Sequence, residues 1–412
     1  MTVRDLPDGW GSVSGTRRYK LDNSLCVVDG GLSVIDSLDA IRDQLGRVWT
    51  VFEAGRTRGL HLGLQLYVSR DHVPLVDVAL GENQPGDPLT ADHVLPWLSA
   101  GKPITAVAIM QLVEAGRLDL DQPIANQIPE FAQNSKDAIT TRHLLTHTAG
   151  IDAVALGWPQ SDWDTVIQRI CAAPLKAGAI PGEAAGYDPQ RSWFILGELV
   201  RRLRQEPIAD YIRRELMEPL GMTRSWLGVP SEVIAQNSVP WGQVYQITDG
   251  KLRPNHSQRP EMLAYSAPGS SCRGPIRELG RFYEMLLSRG YGNGKQFLRP
   301  ETVDGMTQRH RVGMFDQTFQ HTVDFGLGVI TNSNRYGART IPYGFGQHST
   351  EGAFGHGGSQ SSIGFADPQH RLVVSAIANG YPGEVPHNRR FRELLTALYE
   401  DLGLGPDATA AT

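Results

Sequence analysis

Residues 98–124 read LSAGKPITAVAIMQLVEAGRLDLDQPI. Ser99 and Lys102 stand three apart, just ahead of a helical pattern. Val107, Met110 and Val113 form one face with Ile104 just before them, and Gly116 sits where a helix would stop. If Ser99 opens that helix, Lys102 lies on the same face one turn on. A serine hydroxyl is a weak nucleophile and needs a base. A lysine amine can be that base once desolvation or a neighbouring cation lowers its pKa. The helix N-terminus also offers N–H groups to a reacting carbonyl oxygen. By itself the pair is common, and a helix-capping serine followed by a solvated lysine explains it as well.

Working outward, Leu60, Leu62, Leu64, Leu66 and Val68 alternate with His61, Gly63, Gln65 and Tyr67, the period of a strand. Arg70, Asp71 and His72 fit a turn, and residues 75–80 fit a partner strand. Pro74 is tolerable at that strand's start. Residues 372–377 read as a buried strand, preceded by residues 364–367 through a turn at Pro368. Helical patterns fall over 35–52, 193–204, 208–217, 276–289 and 391–402. Strands near both ends with helices between them predict one α/β sheet flanked by helices, with a large helical insertion. Residues 1–55 read as an N-terminal extension, and the Ala/Thr-rich residues 406–412 as a flexible tail.

The composition excludes several functions. The net charge of −5, from 39 basic and 44 acidic residues, argues against a polyanion partner. No basic run is interleaved with aromatics, so nucleic acid is not expected. Cys26, Cys171 and Cys272 are far apart and read as free thiols. The first residues lack a basic segment followed by an apolar one, and no run of about 18 apolar residues occurs, so a cytoplasmic protein without a membrane partner is expected. No zinc spacing, Gly-x-Ser-x-Gly elbow or dinucleotide glycine pattern appears, so neither metal nor cofactor is expected.

Further segments follow in order: ITTRHLLTHTAGI (139–151), EPLGMTRSW (218–226), RELGRFYEMLLSRG (277–290) and FGHGGSQSSIGFADPQHRLVV (354–374). With residues 98–124, this ordered set resembles the penicillin-recognising serine hydrolase superfamily. That group holds class C β-lactamases, D-alanyl-D-alanine peptidases, esterase relatives and acyltransferases. The resemblance implies a β-lactamase/transpeptidase-like α/β fold. It consists of a mixed antiparallel sheet with flanking helices, in a catalytic domain over 56–405, with a mostly helical lobe over about 101–268.

The resemblance also implies roles. Ser99 is the nucleophile and Lys102 its activator. The family's tyrosine matches Tyr187 in GYDPQRSWFILGELV (186–200). Beside an ammonium its anion would be stabilised, so it could relay the Ser99 proton to the leaving group. Pro189 stands where many relatives have an asparagine that contacts the acyl side chain, which argues against β-lactam recognition. Asp188 supplies either a different polar contact or a turn. The family's strand triplet is His356-Gly357-Gly358, with Gly358 letting the backbone approach substrate. Ser359 N–H is expected to join Ser99 N–H as the oxyanion hole. His356 would hold the tyrosine or bind a substrate carboxylate. His143 and His147 are read as wall-forming rather than catalytic.

The expected activity is serine acyl transfer from a small-molecule ester or amide donor to an amine or alcohol acceptor. In this respect the chain is similar to antibiotic-pathway transacylases such as that for capuramycin. Water as acceptor would instead make it an esterase or a β-lactamase- or peptidase-like hydrolase. A non-catalytic binding module is the reading from another class. Trp97, Trp158, Trp163, Trp193, Trp226 and Trp241 either pack in the core or line a wide apolar cleft.

Overall fold

The computed structural model describes residues 34–406; most of the N-terminal extension, Cys26 and the tail beyond Pro406 lie outside them. The alternating run becomes strand β1 (Gly63–Arg70), buried along its length except at Arg70. Asp71 and His72 both take left-handed φ values of 52° and 62°, which turns the chain into β2 (Val73–Gln84). Pro74 sits opposite Ser69 at a register shift, where its missing N–H costs no ladder bond. With β3 (Asp87–Pro88), β4 (Ile330–Thr331), β5 (Phe354–Gly358), β6 (Ser362–Asp367) and β7 (Leu372–Ala378) the sheet has the order β4-β5-β6-β7-β1-β2-β3. All of its ladders are antiparallel, and Ile35 adds one parallel bridge to Val76.

Both faces of this sheet are covered. On one, Leu64, Leu66 and Val68 of β1 pack with Ile41, Val48, Phe52, Phe391 and Leu395. These come from α1 (Leu38–Gln44), α2 (Gly46–Thr57) and the C-terminal helix α7 (Glu384–Asp401). Asp401 Oδ2 accepts both the Arg47 and Val48 N–H groups at 3.0 Å, which caps α2. The helix expected over 35–52 is therefore two helices, broken at Leu45 (φ −127°, ψ 53°). The boundary placed at residue 55 falls inside α2, whose Val48 and Phe52 are part of the core.

The other face meets α6 (Ile276–Leu287). The polar residues of β1 point here and are buried, not wet. Tyr67 and Ser69 donate to Glu284 at 2.7 and 2.6 Å, and Gln65 accepts from the Ile276 N–H at 3.2 Å. Beyond α6 lie α3 (Lys102–Glu114), α4 (Trp163–Ala172) and α5 (Arg191–Arg204) of the helical insertion. Residues from Lys102 to Met110 are buried all round α3, so this helix is central rather than one-faced, and its lysine has left water. The pattern over 208–217 is one turn of α-helix, Ile208–Ile212, continuing as a π-turn, Arg213–Met217. Among the described residues no helix is long and apolar enough to cross a membrane.

Candidate active site

Ser99 lies in a 3₁₀ turn, Leu98–Gly101, that runs directly into α3. Leu98 has φ 51°, an unfavourable left-handed conformation for a branched residue. Its neighbours hold it there. Trp97 N–H donates to the Cys272 carbonyl at 2.8 Å, Trp97 Nε1–H to the Gly274 carbonyl at 2.9 Å, and Ser362 Oγ to the Trp97 carbonyl at 2.6 Å. Gly101 is required because a Cβ there would stand 2.5 Å from Cys272 Cβ.

Lys102 Nζ reaches three oxygens: Ser99 Oγ at 3.0 Å, the Pro189 carbonyl at 2.8 Å and the Gly269 carbonyl at 2.6 Å. Burial lowers its pKa to about 7, against the opposing pull of Asp188. A neutral amine has two N–H donors and one lone pair. The two carbonyls can only accept, so they take the N–H groups and leave the lone pair facing the Ser99 hydroxyl. This arrangement can remove a proton from Ser99 at neutral pH.

Tyr187 hydrogen-bonds Ser99 through its side chain. Its ring lies between Phe319 at 4.6 Å and His147 at 4.5 Å between centroids. The expectation of a stabilised phenolate is corrected: burial raises the Tyr187 pKa, and the Ser99 hydrogen bond offsets this only in part. The phenol stays protonated at neutral pH and is equipped to donate.

The backbone beneath Tyr187 is fixed by a residue that sequence patterns did not reveal. Asp316 Oδ1 accepts the N–H groups of Tyr187, Thr318 and Phe319 at 3.0, 2.8 and 3.0 Å. Its Oδ2 pairs with the buried Arg311 guanidinium at 3.0 Å. Asp316→Asn keeps one carbonyl acceptor but leaves Arg311 as an unpaired buried charge. The expected loss is about 3–5 kcal/mol in denaturant unfolding, with slower acylation as Tyr187 and Phe319 loosen.

Strand β5 passes over the Ser99 turn. A Cβ on Gly358 would lie 2.2 Å from both the Trp97 carbonyl oxygen and Ser362 Oγ. Only glycine lets the strand come this close, and Ser359 follows directly. His356 is buried, and its Nδ1 faces the Gly357 carbonyl at 2.7 Å, so Nδ1 carries the proton. Nε2 is left as an acceptor without a partner among the described residues. Burial, then the nearby Lys102, lowers the His356 pKa to about 3. A neutral ring cannot offer the positive charge that carboxylate binding required. Ser99, Tyr187, His356 and Ser359 line one cleft of about 320 Å³, with Phe319 and Tyr343 on its wall.

The arrangement agrees with what the chain is similar to. Residues 49–398 match the Beta-lactamase family. The chain belongs to that family. It is 26% identical over 377 residues to the esterase/beta-lactamase LipL of Mycobacterium tuberculosis, covering 85% of this chain and 84% of LipL. It is 42% identical over 254 residues to the acyltransferase calJ of Penicillium decumbens, covering 53% of this chain and 57% of calJ. Among solved structures, a penicillin-binding protein homologue from Caulobacter crescentus superposes with a TM-score of 0.71 at 25% identity. That match covers 90% of this chain and 99% of the homologue.

Within this beta-lactamase fold some expected residues lie elsewhere. Asp188 does not face the cleft. Its Oδ1 accepts from the Gln190 and Arg191 N–H groups and its Oδ2 from Ser192 N–H and Oγ, so it caps α5. His147 Nδ1 accepts the Asp188 N–H at 3.0 Å, and burial holds the ring neutral. His143 closes a capping box with Thr140. Trp97 and Trp193 are fully buried, and none of the six tryptophans lines the cleft; Tyr187, Phe319 and Tyr343 supply its aromatic surface. Lys136 is a second buried lysine, but it faces three carbonyls, those of Gln133, Cys171 and Ala173. Three acceptors need all three ammonium N–H groups, so it braces the end of α4 instead of acting as a base.

Proposed function

We propose that this chain is a serine acyl-transfer enzyme that forms an acyl-enzyme on Ser99 from a small-molecule ester or amide. The observation that carries this is the buried Lys102 amine at 3.0 Å from Ser99 Oγ, with its other contacts both carbonyls. Lys102 takes the Ser99 proton as Oγ attacks the substrate carbonyl. The N–H groups of Ser99 and Ser359 hold the oxyanion. The Tyr187 phenol protonates the leaving group and recovers its proton from Lys102. Transfer then proceeds to an amine or alcohol. The similarity to an acyltransferase supports that acceptor, and the similarity to an esterase supports water as the alternative.

A fluorophosphonate probe followed by intact mass tests the nucleophile. One adduct is expected on the wild type and none on Ser99→Ala. A folded wild type that takes no adduct would return the chain to the reading of a non-catalytic binding module.

A further inference from the structure

The geometry points to Glu384 as the acceptor subsite, taking an amine as its ammonium ion beside the acyl-enzyme. This rests on the acyl-transfer reading and names its acceptor class. Glu384 opens α7 and lines the same cleft as Ser99. An acid at a helix start ordinarily complements the helix dipole. This one reaches across the cleft wall instead. Its Oε2 accepts the Tyr343 hydroxyl and its Oε1 accepts Ser359 Oγ at 2.9 Å. Both partners are neutral hydroxyls, so the carboxylate is held in place without being neutralised. Asn388 ties the wall down, donating to the Glu384 carbonyl at 2.9 Å and accepting the Tyr343 N–H at 2.8 Å.

A second observation points the same way. His356 lines the same cleft, and its buried Nε2 acceptor has no partner among the described residues. The ring is neutral because burial holds its pKa low. Among the described residues Glu384 is the one carboxylate that lines the cleft, and no lysine or arginine lines it. Two acceptors and no cation suit a ligand with several N–H donors and a positive charge. An alcohol offers one donor and no charge, and a carboxylate is repelled. Ser359, whose Oγ touches Glu384, is also the residue expected to hold the acyl oxyanion, so a docked amine stands beside the acyl carbon.

The step balances. The ammonium gives one proton through the exposed Glu384 to solvent. The free amine attacks the acyl carbon, the C–N bond forms and the C–Oγ bond breaks. The second amine proton passes through Tyr187 and Lys102 to Ser99 Oγ.

The experiment offers p-nitrophenyl butyrate as donor. The acceptors are cyclohexylamine and 4-aminocyclohexanecarboxylate, which have similar nucleophilicity and differ in charge. Amide and butyric acid are measured by mass spectrometry, and Ser99 acylation by intact mass. The wild type is expected to prefer the simple amine by about tenfold or more, and Glu384→Gln to lower its amide-to-acid ratio by about tenfold. Equal use of the two amines by the wild type overturns the subsite, whether or not the variant folds. So does a folded Glu384→Gln that keeps the wild-type ratio while Ser99 is still acylated. Absence of a fluorophosphonate adduct on folded wild-type Ser99 overturns the acyl-enzyme reading itself, and the subsite with it.

Discussion

Lys102→Met is expected to lower the rate of Ser99 acylation by about 10⁴-fold, the upper end of what a positioned base supplies. The upper end applies because Lys102, the proposed base, is in direct contact with Ser99 Oγ, and Tyr187 is not equipped to replace it. Burial raises the Tyr187 pKa, so little phenolate exists at neutral pH. Methionine fills the buried space with a similar unbranched chain but leaves the Pro189 and Gly269 carbonyls without their donor. A melting curve must therefore accompany the rate, and a modest loss of stability is expected with the large loss of activity.

The pH profile makes the same claim without a mutation. Lys102 must be neutral to act, and its pKa is about 7. Below that value the active fraction falls tenfold for each pH unit, so kcat/KM at pH 5 should be about 100-fold under its plateau. Above about pH 8 the profile should be flat, because the next required group, the Tyr187 phenol, ionises only above its ordinary range. A rising limb that continued to pH 10 would instead identify the tyrosinate as the base.

Much of this was legible from short-range pattern. The alternation in β1, the apolar run of β7 and the Ser99–Lys102 spacing each encode local geometry, and local geometry survives folding. What stayed hidden depends on contacts between distant segments. The alternation does not say what covers the polar side of β1: α6, some 200 residues further on, packs over Gln65, Tyr67 and Ser69 and supplies Glu284. Asp188 follows the motif tyrosine and reads equally as a substrate contact or as a turn former. Its oxygens are consumed by the first N–H groups of α5, which no spacing announces. Arg311 and Asp316 sit in irregular chain with no period to mark them, although they set the backbone under Tyr187. Glu384 falls ahead of the helical pattern over 391–402 with no motif to mark it, and only the fold brings it to the cleft of Ser99. The burial of Tyr187 is hidden for a related reason. Proximity to lysine is visible in a motif, but the depth of burial that outweighs it is not.

Gly358→Ala is expected to lower kcat/KM by about 10²–10³-fold, the usual consequence of losing an oxyanion donor. The new methyl would stand 2.2 Å from the Trp97 carbonyl oxygen and from Ser362 Oγ, which already hydrogen-bond each other at 2.6 Å. Neither atom can move far, because Trp97 is also held by the Cys272 and Gly274 carbonyls. The strand must therefore retreat, and Ser359 N–H retreats with it. A displacement of about 1 Å is enough to cost about 10²-fold when it falls on a reacting geometry. Gly352→Ala serves as the control, since a Cβ there meets no atom within 4 Å and should leave the rate near wild type. Fluorophosphonate labelling separates the outcomes further. Because phosphonylation also develops charge on an oxygen in the same hole, the Gly358 variant should label slowly while Ser99 and Lys102 remain intact. If the variant folds and both its ester turnover and its labelling stay within about tenfold of wild type, Ser359 N–H is not the oxyanion donor. The close passage of β5 over Trp97 would then be a packing requirement alone.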